Sequence, residues 1–278
     1  MRIKYFYLSA YPARKKQKIL ALHRHKLLSL QHNNRTLMTK TATIHDFEQE
    51  LISNAHPEKI AILSSFFKTA PGEYGEGDRF IGLTVPENRV IARRYTYLSC
   101  DELTTLLRNP IHEIRLAALL CLIAKYKSRH TDEAQRQSIF NTYINNTAYI
   151  NNWDLVDLSA PQIVGEHLLH TDRSLLYRFA RNGSLWEQRI AIVATYTYIR
   201  NNDFDDTLAI ADILRTHPHD LIQKAVGWML REVGKRDKQV LIDYLQPRYA
   251  TLPRTLLRYA IEKFTPDERK HYMQRNIF

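Results

Sequence analysis

The segment NNWDLVDLSAP, residues 151–161, contains one indole and two carboxylates within a few positions. If the segment is helical, Trp153 and Asp157 lie one turn apart on the same face, and Asp154 is a near neighbour of Asp157. A fixed, ionised carboxylate can stabilise positive charge that develops in a reaction. An indole face attracts a cation by about 0.5–2 kcal/mol. The segment is therefore a candidate active site that includes Asp157 and Trp153.

The same residues also have a purely structural interpretation, the start of a helix. Asn151 or Asn152 would then be the N-cap. Asp154 would face the positive end of the helix dipole, and Trp153 would lie in the core. This interpretation leaves Asp157 without a local reason, because Asp157 lies beyond the first turn and between two aliphatic residues.

Two later segments combine an aromatic residue with an arginine. SLWEQRIAIVAT contains Arg189, and QKAVGWMLREVGKRD contains Trp228 three residues before Arg231. Each tryptophan taken alone would be assigned to core packing. The recurrence of aromatic, acidic and arginine residues in three successive segments instead favours a shared binding surface.

The elements that carry these residues are predicted to be helices. From Thr41 onward, apolar residues recur at helical spacing in one segment after another, and we find no convincing strand pattern. Helix starts are marked by paired capping residues and by early prolines: Thr43 with Asp46, Ser99 with Glu102, Pro57 and Pro86. Four of the 8 glycines lie in PGEYGEGDRFIG, residues 71–82, which is a predicted loop. It lacks the Gly-Lys-Ser/Thr ending of a loop that holds nucleotide phosphates.

A repeat is visible among the predicted helices. Four of them carry an alanine seven positions after a proline or serine at the helix start: Ala117, Ala191, Ala225 and Ala260. The period is in the middle thirties, with two helices per unit, which predicts an all-α, HEAT-like helical-repeat solenoid with a concave binding face. The alternative is an irregular helical bundle. Basic residues one or two positions before the alanines predict a stripe on the concave face that suits DNA, RNA or an extended peptide: Arg115, Arg189, Lys224 and Arg258.

Charge is concentrated at one end of the chain. The 278 residues carry a formal net charge of +11, and residues 1–37 contain nine Lys or Arg and no acid. Residues 1–40 are therefore predicted to be a basic N-terminal extension, either disordered or the product of a misassigned start upstream of Met38. The alternative is a nucleic-acid-binding arm. Residues 41–278 are predicted to be a single HEAT-like repeat domain.

The remaining composition bounds cofactors and location. The two cysteines and the histidines have no metal-ligand spacing, so we expect no metal and no cofactor. So few cysteines fit a reducing cytoplasm. No run of 18 apolar residues exists, so no transmembrane helix is predicted.

Five segments together resemble the DNA alkylation repair family of HEAT-like alkylpurine DNA glycosylases. The tryptophan-then-acid motif and the motif KAVGWMLREVGK are the specific features, and the similarity runs from about residue 45 to residue 273. The segments are FIGLTVPENRVIARRY, NNWDLVDLSAP, SLWEQRIAIVATYTYIR, HDLIQKAVGWMLREVGKRD and LPRTLLRYAIEKF.

The resemblance implies a role for each candidate residue. Asp157 corresponds to the catalytic aspartate, Trp153 and Trp228 to aromatic residues that contact the damaged nucleotide, and Arg189 to an arginine that holds the DNA. We add Arg231 as a further candidate for DNA binding. The implied reaction is excision of cationic N3- or N7-alkylpurines from double-stranded DNA held on a concave surface, without deep base flipping. Glu187, two residues before Arg189, departs from the family pattern and would weaken attraction for phosphate.

The resemblance also bounds partners and location. We expect a monomer without a membrane partner, cytoplasmic and of bacterial type, which associates with the nucleoid when bound to DNA. The competing hypothesis is a non-catalytic HEAT-like scaffold that binds DNA structures or a protein partner. A peptide-binding solenoid is a third possibility, and it would lack salt-dependent affinity for DNA.

Overall fold

The computed structural model describes residues 43–274, and the predicted N-terminal extension of residues 1–40 lies outside them. The α-helices are, in chain order, α1 (Ile44–Ser53), α2 (Pro57–Phe66), α3 (Val85–Ala92), α4 (Cys100–Leu107), α5 (His112–Tyr126), α6 (Glu133–Ile144), α7 (Trp153–Ala160), α8 (Ser174–Asn182), α9 (Leu185–Ala194), α10 (Tyr196–Arg200), α11 (Asp205–Leu214), α12 (Asp220–Arg236), α13 (Lys238–Leu245), α14 (Arg254–Ala260) and α15 (Pro266–Met273). Short 3₁₀ turns lie at Arg93–Tyr95 and Thr147–Tyr149, and a π-helical turn, Pro161–Gly165, follows α7.

The prediction of an all-α fold is confirmed. Between residues 43 and 274 the only extended pairing is an isolated bridge between Arg79 and Ile111. In the same range, no helix is both long enough and apolar enough to cross a membrane.

These helices begin where the capping residues and early prolines of the sequence predict. Thr43 and Asp46 form a capping box at α1, and Ser99 and Glu102 form another at α4. In each box the hydroxyl accepts from a backbone N–H while the acid accepts from the N-cap, so two otherwise unpaired donors are satisfied. Early prolines begin α2 and α3.

Six helices form a row in which each packs on the next: α3, α5, α7, α9, α12 and α14. The helices between them in the chain pack on one flank or another of this row, as α4 does on α5 and α8 on α9. Packing mainly between neighbours in chain order is the arrangement of repeat proteins. Curvature of this row and a concave DNA face stay predictions.

The repeat alanines are buried between helices of the row, with at most 1% of each side chain exposed. This confirms that the small residues lie on the packed face: Ala117, Ala191, Ala225 and Ala260. Close packing also explains Gly227 in the motif KAVGWML, because a Cβ there would lie 2.5 Å from the Leu256 carbonyl oxygen of α14. Any larger residue would push α12 and α14 apart.

The predicted basic stripe is wrong for two of its members. Arg115 and Arg189 are only 4% and 5% exposed, and each is bound to an aspartate on another element. Burial of a guanidinium requires a carboxylate partner, since an unpaired buried charge costs several kcal/mol. Arg115 and Arg189 therefore join neighbouring elements of the fold instead of presenting free charge to solvent.

Candidate functional site

The start of α7 has the N-cap and the hydrogen bonds that the structural interpretation of this segment predicts. The side chain of the buried N-cap, Asn152, accepts a hydrogen bond from the backbone N–H of Trp153 at 2.8 Å. Asp154 accepts from the backbone N–H of Leu155 at 2.8 Å through Oδ1. Its Oδ2 lies 2.9 Å from Nε2 of His112. Asn152 and Asp154 therefore fix the helix start, as the capping pattern predicts.

A buried polar network holds this helix start against the rest of the molecule. His112, at the start of α5, is bound on its other side to Asp78, with Nδ1 and Oδ2 3.1 Å apart. Asp78 also accepts from Arg115 at 2.6 Å and from the amide of Asn152 at 3.1 Å. The network joins the glycine-rich segment, α5 and α7.

The charges in this network support one another. Burial alone would lower the pKa of His112, but Asp154 and Asp78 outweigh it and raise the pKa to about 9. Burial alone would raise the pKa of Asp78, but hydrogen bonds and charge from His112 and Arg115 lower it below its ordinary value. At neutral pH the network therefore contains an imidazolium between two carboxylates.

Within residues 43–274, Asp157 is hydrogen-bonded by one residue. Arg189 on α9 donates from Nε to Oδ1 and from Nη2 to Oδ2, both at 2.9 Å. The remaining nitrogen, Nη1, donates to the carbonyl oxygen of Leu221 on α12 at 2.6 Å. This planar fork holds the carboxylate in one orientation and joins α7, α9 and α12.

The Asp157 side chain is partly exposed. It is 17% exposed, and each oxygen accepts one hydrogen bond from Arg189. Burial raises the pKa of Asp157 above its ordinary value, although the charge and hydrogen bonds of Arg189 oppose this rise. Such a carboxylate can oppose a neighbouring positive charge or accept a hydrogen bond from water.

Trp153 is half-buried and is not simply a core residue. Its ring stacks on Phe67 with centroids 5.4 Å apart, and the edge of Phe66 lies at 5.8 Å. Aromatic packing therefore orients the indole at the start of α7.

Sequence reasoning missed two aromatic residues at this site. Tyr74 lies in the glycine-rich segment, and the edge of its ring contacts Trp186 at the start of α9, with centroids 6.1 Å apart. The available signals were a tyrosine between glycines and a tryptophan directly before Glu187. Neither signal indicated that the two residues meet beside Trp153, because 112 positions separate them in the chain.

Trp228 and Arg231 lie on α12 and differ in surroundings. Trp228 is half-buried, its ring 6.1 Å from that of Tyr196. It lies seven residues after Leu221, which binds Arg189, and so about 10 Å further along the same helix face. Arg231 is bound to Glu232 at 3.1 Å and to Glu262. Its charge is thus paired, and its role in DNA binding stays a prediction.

Glu187 has a structural explanation. It completes the capping box of α9 by accepting from the backbone N–H of Ser184 at 2.8 Å. Its other oxygen accepts from the hydroxyl of Thr147 at 3.0 Å. The acid that departs from the family pattern therefore fixes the start of the helix that carries Arg189.

No cluster of three or more histidine, cysteine, aspartate or glutamate side chains suited to a metal ion occurs within residues 43–274.

The family model described as DNA alkylation repair enzyme matches residues 47–264. No curated protein sequence matches the chain. Among solved structures, the chain is similar to a predicted DNA alkylation repair enzyme from Enterococcus faecalis, with a TM-score of 0.60 and 17% identity over 76% of this chain and 97% of that chain. At this identity the structural similarity supports the fold alone. The matched range covers all the candidate residues, and the chain belongs to the DNA alkylation repair enzyme family.

Proposed function

We propose that this protein is a monofunctional DNA glycosylase that hydrolyses the N-glycosidic bond of purines alkylated at N3 or N7. Family membership supports a role in DNA repair. The observation that carries the finer proposal is the carboxylate of Asp157, which is held rigidly by Arg189 and remains 17% exposed one helical turn from Trp153.

The substrate chemistry needs few catalytic groups. Alkylation at N3 or N7 gives the purine a positive charge, so the base takes the bonding electrons and leaves neutral. The positive charge moves to the deoxyribose, which becomes oxocarbenium-like, and water then adds to C1′ and loses a proton. Asp157 would oppose the sugar charge and orient the water.

Arg189 has a different proposed role from the one its sequence position implied. Three of its five N–H groups are already bound within the protein, to Asp157 and to Leu221. Its main role is to position Asp157 and favour the ionised carboxylate. A contact of Arg189 with a phosphate of the DNA would have to use its two remaining N–H groups, and it stays a prediction.

Trp153 and Trp228 would contact the damaged nucleotide from α7 and α12. Electron-rich indole faces attract both the cationic base and the developing sugar cation, by about 0.5–2 kcal/mol each. The lesion would lie on a concave surface without deep insertion of the base. We expect the protein to bind double-stranded DNA as a monomer, with an affinity that falls steeply with salt.

The test is release of 7-methylguanine or 3-methyladenine from methylated DNA by wild type and by Asp157→Asn. Loss of the carboxylate charge should reduce release by at least about a hundredfold. Binding to undamaged duplex should stay within about twofold of wild type, because the substitution removes no phosphate contact.

Asp212→Asn is the matched control. Arg248 donates to both oxygens of Asp212, at 2.8 and 2.9 Å, so the pair has the same forked geometry outside the candidate site. Release by this variant should equal that of wild type. Equal release by Asp157→Asn and wild type would refute the catalytic role.

A second candidate function is the non-catalytic scaffold. It is favoured by the similar geometry of the Asp157–Arg189 and Asp212–Arg248 ion pairs. An arginine that binds both oxygens of an aspartate also occurs where no chemistry is proposed. Undetectable release by wild type together with retained DNA binding would support the scaffold.

A further inference from the structure

Four aromatic rings meet at the start of α7. Phe67 follows the last residue of α2, Phe80 lies in the glycine-rich segment, and His112 is the first residue of α5. These three rings contact one another, with centroids 4.9 Å apart for Phe67 and His112, 4.7 Å for Phe80 and His112, and 5.1 Å for Phe67 and Phe80. Trp153 stacks on Phe67 at 5.4 Å. The three inner rings are at most 6% exposed, whereas Trp153 is half-buried, so the indole is the solvent-facing end of the cluster.

His112 fixes this cluster to neighbouring elements through its nitrogens. Its Nε2 lies 2.9 Å from Oδ2 of Asp154, and its Nδ1 lies 3.1 Å from Oδ2 of Asp78. Its backbone N–H donates to the carbonyl oxygen of Arg79 at 2.8 Å. Rotation of the imidazole would break its hydrogen bonds to two buried carboxylates and leave buried charge unpaired, which is costly. The ring is therefore held in one orientation.

The same imidazole contacts two groups that support Trp153. Asp154 directly follows Trp153 in α7, so its bond to His112 fixes the backbone from which the indole projects. Phe67 lies between His112 and Trp153 and fixes the plane of the indole ring. Packed aromatic pairs prefer particular relative orientations. An indole held by rigid, buried groups keeps its face where a cation can approach it.

We propose that His112 is a positioning residue for the candidate site, which holds the indole of Trp153 in one orientation. It acts on one side through Asp154 and on the other through Phe67. The assignment rests on the proposed function, because it treats Trp153 as a residue that contacts the damaged nucleotide. Burial opposes the charge on His112, but Asp154 and Asp78 outweigh burial and raise the pKa of His112 to about 9. Both nitrogens are then protonated at neutral pH, so both can donate at once.

The first measurement follows the fluorescence of Trp153 alone. The chain has three tryptophans, so a protein with Trp186→Phe and Trp228→Phe keeps one indole. In this background, His112→Gln and Phe67→Leu should each shift the emission to longer wavelength and increase quenching by acrylamide, because the indole is no longer held in place. Unchanged emission and quenching in both variants would overturn the proposal.

Phe67→Leu separates positioning from stability. It removes the ring between His112 and Trp153 but keeps the hydrogen bonds of His112, so it tests the proposal even if His112→Gln does not fold. For release of methylated purines, kcat/KM should fall about two- to fivefold, because the indole no longer meets the cationic centre. The Kd for undamaged duplex should not change, since undamaged DNA presents no cation to the indole. In a Trp153→Phe background, Phe67→Leu should reduce kcat/KM little further, because it acts through Trp153.

His167→Gln is the matched control. The His167 ring stacks on Phe140 with centroids 4.1 Å apart. Its two nitrogens each lie 3.2 Å from a partner, one from the hydroxyl of Tyr126 and the other from Oε1 of Gln137. His167 lies beyond the opposite end of α7 from Trp153. Emission of Trp153, kcat/KM and Kd should all equal those of the parent protein. Changes as large as those of the cluster variants would overturn the proposal, because they would not depend on contact with the indole.

Failure of the two proposals can be told apart. If wild type releases no base but His112→Gln and Phe67→Leu alter the emission of Trp153, the glycosylase proposal fails and the positioning of the indole stands. If wild type releases base and neither variant differs from it in emission or kcat/KM, the positioning proposal alone fails. Altered emission with unchanged kcat/KM in an active protein would also overturn the positioning proposal, because the indole would then move without consequence for release.

Discussion

Two ion pairs in this molecule use the same repeat position in different ways. Arg115 and Arg189 each lie two residues before a buried repeat alanine, and each donates to an aspartate on another element. Asp78, the partner of Arg115, also binds His112 and Asn152, and its side chain is 4% exposed. Among the described residues Asp157 binds Arg189 alone, and its side chain is 17% exposed.

The difference appears in the acidity of the two carboxyl groups. Burial opposes ionisation of both, but His112 and Arg115 together lower the pKa of Asp78. Arg189 alone does not overcome burial, and the pKa of Asp157 stays above its ordinary value. A carboxylate that is almost fully buried and accepts from three residues stabilises the fold. A partly exposed one that accepts from one arginine can bind a substrate as well.

The largest expected effect is on stability, from Asp78→Asn. This change leaves His112 and Arg115 buried without their shared carboxylate, and it should lower the free energy of unfolding by about 3–5 kcal/mol. Urea unfolding of this variant and of Asp157→Asn measures the contrast. The loss should be smaller for Asp157, which is bound to one cation and partly exposed. Equal losses would contradict the distinction between the two pairs.

The next effect is on activity, from Arg189→Gln. Without the guanidinium, burial and Asp154 raise the pKa of Asp157 further, so less carboxylate is ionised at neutral pH. We expect at least about a tenfold loss of kcat/KM at pH 7 and an acid limb of the pH profile that moves to higher pH. Arg248→Gln, at the Asp212 pair, should leave the profile unchanged. An unshifted acid limb in Arg189→Gln would show that Arg189 does not control Asp157.

The stability of the protein should depend on pH through His112, which is bound to Asp78. The pKa of His112 is raised from 6.5 to about 9, so its contribution to stability is fully present below pH 6.5 and is lost as the pH rises through about 9. Thermal midpoints between pH 6.5 and 9.5 should therefore fall by a few degrees. The fall should be smaller in His112→Gln. An equal fall in both proteins would assign the pH dependence to other groups.

The smallest effect should follow Trp153→Phe and Trp228→Phe. A phenyl face attracts a cation less strongly than an indole face does, so release of methylated purines should slow about two- to fivefold in each variant. The affinity for undamaged duplex should change less than the rate of release, because undamaged DNA presents no cationic base. If affinity and release rate fall by the same factor, the indoles contact DNA in general and do not recognise the cationic base.

Local features of the fold were predictable because they depend on neighbours in the chain. The capping boxes at Thr43 and Ser99 and the buried alanines at the repeat spacing follow from hydrogen bonding within one turn and from helical periodicity. The site was predictable only in part. The pattern proposed Asp157 and Trp153 as site residues, and the resemblance assigned Arg189 to the DNA. Neither indicated that the guanidinium of Arg189 is bound to Asp157.

By itself, the amino-acid sequence determined the all-helical fold of residues 43–274 and the family to which the chain belongs, because these depend on short-range spacing and local motifs. Only the tertiary structure decided which charges meet, since Asp78 with Arg115, Asp157 with Arg189, and Tyr74 with Trp186 are brought together by packing across many residues. Burial then determined what each pair can do, because the solvent left around a carboxylate sets both its acidity and its access to a ligand.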